Sequence, residues 1–180
     1  MKKTLFKDVE IPEGVDAKIE GSKILIRGPQ GEISREFKTR DLEFRQEQNK
    51  ILIGHKKATK NEKKMMNTIT AHIKNMIQGV QTKFEYRLKI CFNHFPFTVS
   101  VEGNNAVVKN FLGEKVPRKF SFPSGVEVKT DKEGVTISSA DKELAGLVAA
   151  AFEKSTAIKG RDRRIFQDGL FITKKAGKEI

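Results

Sequence analysis

The stretch GRDRRIFQDGLFITKK, residues 160–175, sets Arg161, Arg163 and Arg164 within four positions and adds Lys174 and Lys175 at its end. A guanidinium is planar and permanently charged, and it presents donors as a fork that fits two oxygens of a phosphate or the edge of guanine. An ammonium cannot match that geometry. Phe166 and Phe171 lie among these cations, and an aromatic ring there serves either a core or a stacking surface for an unpaired base. Asp162 and Asp168 interrupt the cluster. A carboxylate aimed at a polyanion is repelled, so both are expected to orient neighbouring arginines or cap turns. Ile165, Gln167, Leu170 and Ile172 recur in a strand-like pattern that would anchor the segment to a sheet. The competing reading is a solvated basic tail.

Other chemistry is sparse. Cys91 stands three residues before His94, whereas His55 and His72 lie in the other half of the chain. A structural zinc site needs about four converging ligands, so no metal is expected, Cys91 reads as a buried thiol and His94 as a hairpin or surface residue. The glycines of GPQGE and FLGE lack the spacing of a phosphate-cradling loop and read as hairpin turns. Lysines 56, 57, 60, 63 and 64 gather where a helix is expected to begin, an end at which the macrodipole disfavours positive charge. They form either a solvated face or a second anion contact. With no nucleophile and base at a useful spacing, neither enzymatic activity nor a cofactor is expected.

The charge balance agrees with a polyanionic partner. The 180 residues carry 35 Lys and Arg against 23 Asp and Glu, a net charge of +12, which favours nucleic acid over a neutral metabolite. The last 22 residues, with seven basic and three acidic side chains, are the most basic per residue. One cysteine cannot make an internal disulfide, which suits a reducing compartment such as the cytoplasm. The opening MKKTLFKDVEIP lacks the apolar run of a signal peptide, and no segment approaches a membrane span, so no membrane partner is expected.

The elements that must position the arginines form a repeating plan. Met66, Ile69, Ile73, Met76 and Ile77 trace a helical stripe, Thr59 and Glu62 have capping-box spacing and Gly79 stands as a stop, which predicts a helix over 60–78. A second stripe of Leu144, Leu147, Val148, Ala151, Phe152 and Ser155 predicts a helix over 141–158. Short strands precede each helix: DAKIEG, KILIRG, GEISREF, LEFRQ and KILIG in the first half, with FEYRLKICF opening the second. Setting residue 15 against residue 97 aligns VDAKIEGSKILIRGPQGE with FTVSVEGNNAVVKNFLGE, and the helices end on IQG and IKG. The chain therefore reads as an internal duplication with a period near 82. The expected fold is α+β: two tandem domains, 1–82 and 83–180, each a mostly antiparallel sheet packed against one α-helix.

NHFPFTVSVEGNNAVVKNFLGEKVPRKF and IKGRDRRIFQDGLFITKK, set in this duplicated plan, resemble the L-six family of large-subunit ribosomal proteins in its archaeal and eukaryotic type. The likeness covers essentially the whole chain, with HFP, NFLGEK and DRRIFQDGLFI its most specific parts. It implies a structural constituent of the large subunit, in the cytoplasm, that binds large-subunit rRNA mainly through the second domain. It also implies neighbouring large-subunit proteins as partners and a place near the sarcin-ricin loop and stalk base, where translational GTPases dock. Neither DNA nor a membrane is an expected partner. Carried onto this sequence, the RNA-contacting residues are Lys159, Gly160, Arg161, Arg163 and Arg164, then Lys174 and Lys175, with Asn93 and His94 of CFNHFP as a second contact. A free RNA chaperone is the rival of different class, separated from this reading by stable membership of one particle.

Overall fold

The computed structural model describes residues 3–37, 39, 42–47 and 49–180. The chain divides into two compact units, Met1–Lys83 and Phe84–Ile180. The first contains β1 (Lys3–Glu10), β2 (Asp16–Glu20), β3 (Lys23–Gly28), β4 (Gly31–Glu36), β5 (Glu43–Glu47), β6 (Lys50–Ala58) and α1 (Lys60–Gln81). Its strands form two antiparallel sheets, β1-β6-β5 and β2-β3-β4. One face of α1 touches both. Period-two alternation puts Ile24 and Ile26 of β3 and Ile51 and Ile53 of β6 inward, where they meet Met66, Ile69, Ile73 and Ile77 of the helix.

The capping box holds the start of α1: Glu62 accepts the Thr59 backbone N–H at 2.7 Å, and the Thr59 hydroxyl accepts from Asn61. Gly79 does not stop the helix, which runs on to Gln81 with Gly79 buried inside it. Its last turn is clamped on the β3–β4 turn, since the Val80 carbonyl accepts the Gln30 N–H at 2.8 Å. A Cβ on Gly28 would lie 2.8 Å from Val80 Cγ2, so glycine there permits the close approach.

The second unit repeats the plan with β7 (Phe84–Cys91), β8 (Thr98–Glu102), β9 (Asn105–Lys109), β10 (Arg118–Ser121), β11 (Glu127–Thr130), β12 (Gly134–Ser139) and α2 (Lys142–Ser155). Sheet β8-β9-β10 corresponds to β2-β3-β4, and β7-β12-β11 to β1-β6-β5. Each repeat thus carries two sheets where the sequence pattern suggested one. Two strands are additional: β13 (Gly169–Lys175) pairs antiparallel with the other edge of β7, and β14 (Lys178–Glu179) extends it. Nothing among the described residues of the first unit occupies the corresponding edge of β1. GPQGE makes a tight hairpin at the Gly28–Gly31 pair. FLGE instead forms a short 3-10 turn, Phe111–Gly113, inside a longer connection from β9 to β10.

The stripe of α2 is rotated from the expected one. Ala145, Val148, Ala149 and Phe152 are buried, whereas Leu147 is 58% exposed. Small alanines let the helix approach the sheet, and Gly146 lies so near the Tyr86 ring that a Cβ would come within 3.3 Å of its hydroxyl. The helix ends at Ser155, short of 158. No helix among the described residues is long and apolar enough to cross a membrane.

Candidate nucleic-acid interface

The arginine segment begins where α2 stops, and Arg118 on β10 determines how it stops. Its Nη1 donates to the carbonyls of Ser155 and Ala157 at 2.9 and 3.1 Å. Its Nε and Nη2 fork onto the two Glu114 carboxylate oxygens at 2.8 and 2.5 Å. The guanidinium also stacks 4.5 Å from the centre of the Phe111 ring. The fork holds the Glu114 carboxyl below the usual carboxylate range, with Arg161 reinforcing the effect. Carbonyls at a helix C-terminus lack intrahelical partners, and this arginine supplies them. Sequence reasoning missed it. The four-residue spacing of Glu114 and Arg118 lies outside any helix, so no periodicity marked the pair.

Thr156 closes the loop that follows. Buried to 4% exposure, its hydroxyl donates to the Glu153 carbonyl at 3.1 Å and accepts the Leu170 N–H at 2.9 Å. One side chain therefore ties the end of α2 to the start of β13. Between these points the backbone is irregular, with a turn at 163–165 and regular strand only from Gly169. The strand-like reading of Ile165 and Gln167 is corrected accordingly. Asp162 is the cause: its carbonyl accepts the N–H groups of Ile165 and Phe166, and its carboxylate accepts the Arg164 N–H at 2.9 Å. Lys159, Gly160 (φ +69°), Arg161, Arg163 and Arg164 all lie on the exposed rim of this loop.

The three arginines differ in engagement. Arg161 stacks at 4.9 Å on its own Phe166. Arg164 forks onto the Asp162 carboxylate, 2.7 Å at the closest oxygen, a pairing that lowers the carboxyl pKa and raises that of the guanidinium. Arg163 has no hydrogen-bond or ion-pair partner among the described residues. Asp162 therefore both orients an arginine and caps a turn, as expected. Asp168 does neither: it is buried, and its carboxylate accepts the Asn93 N–H at 2.6 Å.

That bond brings the second expected contact beside the first. Asn93 and His94 are exposed in the segment leaving β7, with the His94 ring edge-on to Phe95 at 4.5 Å. Phe92 and Asn93 share a shallow pocket with Ile165, Gln167 and Asp168. Cys91 is half-buried rather than a core thiol, because it ends β7 at the rim. Lys174 and Lys175 stand apart. At about 3.4 Å per residue along β13, Lys175 lies about 20 Å from Gly169, and Lys174 is half-buried beyond a register shift. One continuous run of sequence thus makes two cationic positions. The lysines at 56, 57, 60, 63 and 64 are all exposed in the first unit.

The fold and the site define the class: a duplicated α+β protein that presents unengaged and partly engaged guanidiniums on a pinned, exposed loop of its second unit. Comparison with known proteins then sets the family. The family model described as Ribosomal protein L6 matches residues 11–83 and again 95–169, once in each unit. The relative named large ribosomal subunit protein uL6 of Methanothrix thermoacetophila is 41% identical over 175 residues, 97% of this chain and 99% of the relative. That of Methanococcus vannielii is 41% identical over 97% of this chain and 96% of its own. For Nanoarchaeum equitans the identity is 42%, over 96% and 94%. The chain belongs to the ribosomal protein L6 family.

Proposed function

We propose that the chain is a structural constituent of the large ribosomal subunit, working in the cytoplasm, that grips large-subunit rRNA mainly through its second unit. As a member of the ribosomal protein L6 family it is a ribosomal protein of the large subunit and not an enzyme. The proposed seat is near the sarcin-ricin loop and stalk base, where translational GTPases dock, with other large-subunit proteins as neighbours. The observation that carries the RNA reading is the exposed loop Lys159–Arg164, whose ends are fixed by Arg118, Thr156 and β13.

Guanidiniums and ammoniums displace counterions from packed phosphates, and a rigid mount presents them in one geometry. Lys159, Arg161, Arg163 and Arg164 form the principal contact, with Gly160 allowing close backbone approach. Asn93 and His94 lie beside them, and Lys174 and Lys175 give a second grip along β13. About five neutralised phosphates correspond to a logarithmic salt slope of roughly 3.5 to 4.5. The first unit, less basic per residue than the last 22 residues of the chain, is assigned to protein or factor contacts.

The test is sedimentation of the tagged chain from its own cells after a high-salt wash. Stoichiometric retention on large subunits is expected, and loss into light fractions would overturn the assignment. Replacing Arg161, Arg163 and Arg164 together by Ala is expected to weaken incorporation in competition with wild type while leaving the fold intact.

A further inference from the structure

We propose that the hollow between the end of α2 and the arginine loop receives an unpaired base of the bound RNA, a proposal that rests on the RNA reading above. The cavity measures about 830 Å³ and lies open to solvent. Its walls include Ile158, Arg163, Phe166, Gln167 and Phe171, and Glu153, Lys154 and the buried Asp168, already engaged by the Asn93 N–H, line it as well. The volume is enough to admit one base.

Two features select a nucleotide over other occupants. The first is the pairing of charge with aromatic surface: Arg163, the arginine without an internal partner among the described residues, lines the same wall as two phenylalanines. A ligand that satisfies both must be anionic and flat at adjacent positions, which describes a phosphate and its base. The second is the state of Phe171. It is 45% exposed, and its ring rests against Gly169, where a Cβ would lie 3.3 Å from it. Phe6, Phe92 and Phe95 are similarly exposed, and what sets Phe171 apart is that its accessible side chain lines the hollow together with Arg163 and Phe166. Phe166 keeps its place by stacking with Arg161, and the Gln167 amide offers both a donor and an acceptor to a base edge. The polar groups deeper in, the Leu170 N–H and the Thr156 hydroxyl, already satisfy each other.

The test measures binding of the full chain to a transcript of its own organism's large-subunit rRNA across a salt series. It compares wild type with Phe171→Leu, Phe171→Tyr and the Arg161/Arg163/Arg164 triple alanine variant. Stacking of a base predicts that Phe171→Leu weakens binding about tenfold at every salt concentration with the slope unchanged, while Phe171→Tyr stays within about twofold of wild type. The triple variant is expected to lower the slope by roughly two to three. If Phe171→Leu binds like wild type while the triple variant loses slope, the base pocket is refuted and the RNA reading stands. If the triple variant is also unchanged, the RNA reading itself fails. Should Phe171→Leu fold poorly, a photoreactive aromatic amino acid replacing the exposed Gln167 decides the matter in assembled subunits. Adducts on a nucleotide support the pocket, and adducts found only on a neighbouring protein overturn it.

Discussion

Arg118→Ala offers the sharpest test of how the loop is held, because one side chain joins three parts of the second unit. The losses can be summed from its contacts. The Glu114 pair is bidentate but its carboxylate is 39% exposed, which limits it to about 0.5–1 kcal/mol. The two carbonyl bonds contribute about 1–1.5 kcal/mol each. Stacking on Phe111 adds about 0.5–1 kcal/mol. These terms overlap, so the low end of their sum, about 3 kcal/mol, is the expected destabilisation. In a unit of about 100 residues that corresponds to a drop in Tm of about 12–24 °C. Arg118→Lys keeps the charge but loses the fork and the stack, and is expected to recover no more than about a third of the loss.

Thermal melting gives the total, and hydrogen exchange by mass spectrometry locates it. Amides over 153–170 should lose protection while those of α1 keep theirs. RNA affinity should fall with an unchanged salt slope, since Arg118 is already engaged by Glu114 and two carbonyls and positions the loop without touching phosphate. A loss below about 1 kcal/mol, or full stability in Arg118→Lys, would refute the clamp.

Thr156→Val leaves the Leu170 N–H buried without its acceptor and should cost about 1–3 kcal/mol, with faster exchange of that amide as the signature. Gly134→Ala would put a Cβ 2.3 Å from the Leu88 carbonyl oxygen, so the β7–β12 backbones must part; denaturant titration should show a loss of about 3 kcal/mol. The Glu114 carboxyl has its folded pKa below the unfolded value. Its contribution is therefore present above about pH 4 and lost as pH falls through the folded pKa; Glu114→Gln should be less stable than wild type at pH 7, with the difference narrowing as pH falls below about 4.

The elements legible in the sequence were those whose signal is local. The α1 stripe and the Thr59–Glu62 box specify a helix start within one turn of chain, and the structure begins α1 at Lys60. The duplication was legible because paired glycines and apolar alternations recur at a fixed offset. The features that escaped depend on tertiary partners. Gly79 stays helical because Gly28 lets Val80 pack closely. The α2 stripe is displaced because alanines, weak in any hydrophobicity count, mark the closest approach to the sheet. In the site, the arginines stood out by type and spacing, but their mounting did not: Arg118 acts from 37 residues before Ser155, and Asp168 bonds a segment 75 residues earlier.

That mounting explains why the arginine loop belongs to the second repeat. Both units bury a helix against two sheets, but the chain leaving α1 passes at once into β7, whereas the chain leaving α2 returns as β13 on the open edge of β7. A return is what creates a loop with two fixed ends. Here the ends meet at one hydroxyl, since Thr156 caps α2 and also accepts from Leu170. A free basic tail would lose backbone entropy of about 1–2 kcal/mol for each residue ordered on its ligand. In the closed loop much of that ordering is already built into the fold, through the Asp162 turn and the Arg118 clamp. Cationic charge is present in both units; the loop that carries three arginines between two fixed ends lies, among the described residues, where the extra strand extends the sheet.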